Sequence, residues 1–148
     1  MAQEERREML DLADEYREFL DNGKTERECV DYMIEAAEAN GFTAFDNKKV
    51  YKAGDKVYLN NRGKSIILAV MGTKGVSEGA KIVAAHIDSP RLDLKPTPLY
   101  ESDELAYFKT HYYGGIKKYQ WTAIPLALHG VVYRKDGTMV TITIGEDD

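Results

Sequence analysis

With 148 residues, 43% of them hydrophobic and 30% charged, the chain holds enough apolar material for an ordinary globular core and lacks the composition of a disordered segment. Its formal net charge of −5, with Lys and Arg scattered among Asp and Glu, offers no basic stripe to neutralise a phosphate backbone, so nucleic acid is not an expected partner. The longest apolar runs, such as Ile66 to Met71, fall far below the ~20 residues that span a bilayer, so no membrane association is expected either.

The first residues, Met1 to Arg7, lead into an amphipathic segment without the apolar core of a secretory signal. Cys29 is the only cysteine, which excludes an internal disulfide and a thiolate cluster for a metal. Both features read as a cytoplasmic chain, with Cys29 a small, partly buried helix residue and no redox task.

From Glu4 to Leu20, Met9, Leu12, Ala13, Tyr16, Phe19 and Leu20 recur at helical spacing, and Asp21-Asn22-Gly23 ends the helix. Thr25 stands three residues before Glu28, a capping-box pattern, and Val30, Met33, Ile34 and Ala37 form the stripe of a second helix closed by Asn40-Gly41. The pattern then shortens to strand-like runs. Lys56 to Asn60 and Ser65 to Met71 are joined through Asn60-Asn61-Arg62-Gly63, residues suited to a tight hairpin turn. After a Gly-rich loop from Gly72 to Gly79, Lys81 to His86 reads as an apolar strand of the kind buried inside a sheet. Residues two apart on such a strand point to one side, so His86 and Asp88 can face one site. As a bare spacing, His-x-Asp fits both a metal site and a strand-end histidine that merely caps or packs.

Beyond Pro90, Leu92 to Lys95 alternates, Pro96 and Pro98 interrupt, and Leu105 to Tyr113 reads as a strand before Gly114-Gly115. Two last strands, Ile124 to Tyr133 and Thr138 to Ile144, flank the hairpin signal Asp136-Gly137. The expected fold class is α/β, mixed in its first part and all-β in its second, with the boundary between Asp88 and Leu99.

The stretch Ala85 to Pro90, followed by Arg91-Leu92 and Lys95-Pro96, resembles the M18 family of zinc aminopeptidases, the aspartyl aminopeptidase group, which carries Ala-His-x-Asp-Ser-Pro. Phe19-Leu20, Gly41-Phe42, the Asn61-to-Val70 hairpin and Tyr113-Gly114-Gly115 fall where that family has similar pieces. The resemblance implies that residues 1–92 are the N-terminal part of a metallopeptidase catalytic domain and that residues 93–148 begin an inserted β-rich oligomerisation domain. It implies a peptide substrate, a homo-oligomer and zinc as cofactor, two ions in the complete enzyme. His86 becomes a zinc ligand, and Asp88 the carboxylate that positions the imidazole and raises its basicity. The bridging Asp, the Glu-Glu pair, the further Asp and the second His of the family all lie beyond Asp148. The resemblance therefore implies an N-terminal portion that is inactive alone.

Where many family members have Trp-His-x-Trp, this chain has Tyr119-Gln120-Trp121, so Tyr119 stands in place of the His that helps stabilise an oxyanion in a neighbouring subunit. Its hydroxyl can donate the same hydrogen bond, with Lys117 or Lys118 adding positive charge; alternatively Tyr119 and Trp121 pack on the sheet around a solvated basic turn. His111 and His129 read as sheet residues, and the cluster Tyr107, Phe108, Tyr112, Tyr113, Tyr119 and Trp121 as an assembly surface. The competing reading is a non-catalytic β-rich binding or oligomerisation module.

Overall fold

The helical spacing of the N-terminal segment becomes two helices, α1 (Gln3–Asn22) and α2 (Glu26–Ala39), in a computed structural model that describes residues 3–146. The capping box forms at the start of α2: the Glu28 amide donates to Thr25 Oγ1 at 3.4 Å, and the Thr25 amide donates to Glu28 Oε2 at 2.8 Å. At the other end Gly41, at φ 82°, turns the chain so that its amide bonds to Glu38 O and that of Phe42 to Ala37 O, each at 3.0 Å. This is a Schellman closure, which needs a left-handed residue at that position. α1 buries no residue; it meets α2 through Phe19, whose ring lies edge-on to Tyr32 with centroids 5.5 Å apart.

α2 packs on a three-stranded sheet, β1 (Thr43–Ala44), β2 (Lys56–Asn61) and β3 (Ser65–Val70), in the order β1-β2-β3. β1 runs parallel to β2, a short pairing with no sequence signal, and β2 is antiparallel to β3 from Lys56↔Val70 to Asn61↔Ser65. Arg62 (φ 59°) and Gly63 (φ 65°) turn between them, one residue later than Asn60–Gly63 suggested, with the Gly63 amide on Asn60 Oδ1 at 2.6 Å. Val30, Cys29, Ala37 and Val57 form the buried core between helix and sheet.

The expected strand from Lys81 to His86 does not form: residues 79–89 carry no helix or strand, and Ile82 and Val83 are 84% and 99% exposed. A strand exists only through its ladder, and β1, β2 and β3 pair with one another, so this run has no partner among the described residues. Composition identified an extended apolar run; it could not supply the neighbouring strand.

The chain divides into two compact units, one ending at Ile87 and one beginning at Asp88. In the second, β4 (Arg91–Ser102) and β5 (Leu105–Tyr113) form an antiparallel ribbon closed by Asp103 and Glu104, both at positive φ. β4 continues through Pro96 and Pro98 instead of stopping at them. The ladder absorbs them by a register shift: between Leu94↔Thr110 and Leu99↔Phe108, β4 advances five residues and β5 two. A short helix, α3 (Lys118–Trp121), occupies the expected basic turn. β6 (Leu128–Tyr133) and β7 (Met139–Ile144) then make a second ribbon, β6 starting four residues after Ile124. Its turn is held by the Asp136 carboxylate, which accepts from the Thr138 amide at 2.9 Å and from the Thr138 hydroxyl.

Candidate functional site

His86 is exposed in the irregular run that follows a 3-10 turn at Val76–Glu78, while Ile87 and Asp88 are half-buried. One contact explains why burial begins there. The Cys29 thiol, on α2, lies within hydrogen-bonding reach of Ile87 O at 3.5 Å and of Gly23 O at 3.3 Å. Burial pushes the thiol pKa up, and the carboxylates of Glu26 and Glu28 push it the same way, so Cys29 keeps the proton that makes it a donor. Cys29, expected as a small, partly buried helix residue with no redox task, therefore also ties helix α2 to the backbone next to His86. A Cβ on Gly23 would come 2.8 Å from that sulfur, which explains the glycine at the α1–α2 junction.

In the second unit, the first residues of β4 are fixed by side chains from the same ribbon. Arg91 Nε donates to Asp93 Oδ1 at 2.7 Å, and its guanidinium carbon sits 4.3 Å from the centre of the Tyr113 ring. Gly114, at φ 75°, passes so close to Pro90 that a Cβ would lie 3.4 Å from the Pro90 Cα. Pro90 and the Gly114-Gly115 segment, read separately in the sequence, are thus neighbours in space.

Tyr119 is 74% exposed on α3, so it does not pack on a sheet of its own unit; Trp121 is half-buried. Lys118 Nζ stands 4.4 Å from the centre of the Tyr112 ring. His111 lies on β5 opposite Asp93, its ring stacked on Tyr112 at 5.7 Å. His129 bonds through Nε2 to Glu146 Oε1 at 2.6 Å, which pins the segment after β7 to β6. His111 and His129 are therefore accounted for as sheet residues.

Among the described residues no group of three or more His, Cys, Asp and Glu is placed to hold a metal ion. Zinc takes about four ligands in a structural site and three plus water in a catalytic one. His86 and Asp88 are accordingly not a zinc centre by themselves.

The sequence pattern of the aminopeptidase I zinc metalloprotease family (M18) matches residues 19–147. A probable M18 family aminopeptidase 1 of Clostridium acetobutylicum is 52% identical over 146 residues, which are 96% of this chain and 31% of that protein. The crystal structure of aminopeptidase I from Borrelia burgdorferi superposes with a TM-score of 0.93 at 41% identity, covering all of this chain and 37% of that one. An M18 family aminopeptidase structure from Thermotoga maritima gives a TM-score of 0.86 at 43% identity over 93% of this chain and 30% of its own. The chain spans about a third of the length of the curated relatives it matches.

Proposed function

Since this chain belongs to the aminopeptidase I zinc metalloprotease family, M18, we propose that it is the N-terminal portion of a zinc-dependent aminopeptidase that removes amino-terminal residues from peptides. The observation that carries this reading is the family match over residues 19–147 in a chain equivalent to 31% of its 52%-identical relative. In this reading residues 1–92 belong to the catalytic domain, and residues 93–148 open an inserted β-rich domain that joins subunits of a homo-oligomer. The single cysteine suits a cytoplasmic enzyme.

His86 is then one zinc ligand of a two-zinc centre, and Asp88, two positions later, is the carboxylate that fixes its orientation. The 31% share of the relative's length supports ligands supplied by further polypeptide, and in this reading the 148 residues alone do not hydrolyse peptides. When bound, the metal supplies a strongly nucleophilic water and polarises the scissile carbonyl. What this chain adds is a half-buried backbone next to His86, anchored by Cys29, that limits where the imidazole can stand. Tyr119 is proposed as the hydrogen-bond donor to the oxyanion at a neighbouring subunit's site. Its 74% exposure supports a partner outside its own fold.

The test uses the full-length protein of which this chain is part. His86→Ala is expected to lower zinc content by about one ion per subunit and turnover of an aminoacyl chromogenic substrate by about 100-fold or more. Tyr119→Phe in the same assay is expected to lower kcat by about 100-fold with zinc content intact. Unchanged zinc content and turnover in His86→Ala would overturn the ligand assignment. Hydrolysis by the purified 148-residue chain that His86→Ala abolishes would overturn the claim that it is inactive alone. If the competing module reading holds, neither substitution changes any peptidase activity.

A further inference from the structure

The second unit contains an open cavity of about 430 Å³ whose walls include Leu92, Lys95, His111, Tyr112, Lys118 and Trp121. Among the described residues no Asp or Glu lines it, although the chain as a whole carries a net charge of −5. Asp93, which faces His111 in the ladder, is bonded to Arg91 at 2.7 Å. Two lysines and a histidine thus line the cavity in a chain whose net charge is negative.

The walls are of two kinds. Lys95 sits at the point where the β4–β5 ladder loses register after Leu94, and Lys118 is held over the flat face of Tyr112 at 4.4 Å. Leu92, Tyr112 and the half-buried Trp121 supply apolar and flat surface beside those charges. A pocket with cations beside aromatic and aliphatic walls recognises a ligand with an anionic head on a flat apolar body.

We propose that this cavity binds a small aromatic carboxylate, the carboxylate meeting Lys95 and Lys118 and the ring lying against Trp121. The site rests on the geometry of the second unit and does not depend on the zinc reading.

Trp121 lines the cavity, so its emission responds to an occupant. Phenylacetate titrated into the full-length protein of which this chain is part is expected to change its tryptophan emission saturably, with a half-point in the range of about 1 mM, ordinary for a ligand this small, and Trp121→Phe is expected to abolish that change. Phenylacetamide, of the same shape without the charge, is expected to give no saturable change. Lys95→Gln keeps the Lys118–Tyr112 contact and is expected to raise the half-point several-fold; Lys95→Gln with Lys118→Gln is expected to raise it at least about tenfold, with the far-ultraviolet circular dichroism unchanged. N-acetyl-alanyl-phenylalanine distinguishes the source of the carboxylate. Its competition with phenylacetate assigns the pocket to peptide ends, its failure assigns the pocket to free acids, and both support a carboxylate site. A linear response to phenylacetate, an equal response to phenylacetamide, or a wild-type half-point in folded Lys95→Gln would overturn the proposal.

Discussion

Val30 in the first unit is fully buried, whereas Val132 in the second is 47% exposed, although each sits on the apolar face of a regular element. The difference lies in layers. α2 lays an amphipathic face over β2 and β3, so Cys29, Val30, Ala37 and Val57 close against one another. The second unit consists of two ribbons of two strands each and one short helix, and none of its described residues is fully buried. Two-stranded ribbons are marginal by themselves, since the strand ladder satisfies the backbone but leaves the side chains in water. The first unit is thus held by packing, and the second by turns, ladder hydrogen bonds and ring contacts such as Tyr100 on Tyr107 at 5.3 Å.

The sharpest way to break this comparison is to remove equal volume from both. Val30→Ala is expected to destabilise the first unit by about 2 kcal/mol, through lost burial and a cavity under α2. Val132→Ala is expected to change stability by less than about 0.5 kcal/mol, because its methyl groups are half in water already. Urea unfolding of the 148-residue chain checks both, and equal effects would show that the second unit has a packed core after all.

A smaller effect separates capping from packing. Thr25→Ala removes the hydroxyl that accepts the Glu28 amide and is expected to cost about 1 kcal/mol, seen in the same unfolding curves. The smallest change belongs to the second unit's turn. The Thr138 hydroxyl and amide hold the Asp136 carboxyl below its ordinary pKa. A carboxyl lowered on folding stabilises fully above its unfolded-state value of about 3.9, and that contribution disappears as pH falls through the lower folded value. Acidification through that range is expected to move the Thr138 amide resonance in wild type, and Asp136→Asn is expected to abolish the movement; an unchanged titration would show that the turn does not depend on the charge.

Local chemistry made much of the fold legible. Thr25 and Glu28, Asn40-Gly41, Arg62-Gly63 and Asp136-Gly137 each carry their own geometry within a few residues, and each end or turn lies within a residue or two of its signal. Long-range pairing was not legible: β1 is two residues long, and residues 81–86 look like a buried strand while lacking a neighbour among the described residues. The prolines of β4 were read as interruptions because a proline ends a regular ladder; a register shift is the other way to accommodate one. At the site, His86 and Asp88 were picked out by their flanking residues. The anchoring role of Cys29 was not, because it depends on Ile87, 58 residues away.

The register shift in β4 has a consequence for how the ribbon meets other chains. Pro96 and Pro98 lack amide hydrogens, and being two apart in an extended segment they remove two donors from the same edge. β4 pairs only with β5 among the described residues, so its other edge is the one that a stray strand would use for templated stacking. At Lys95-Pro96-Thr97-Pro98 such a strand meets a broken register and a charge. The chain thereby carries its own guard against fibril-like growth along that edge, at the point where an exposed two-stranded ribbon is most vulnerable.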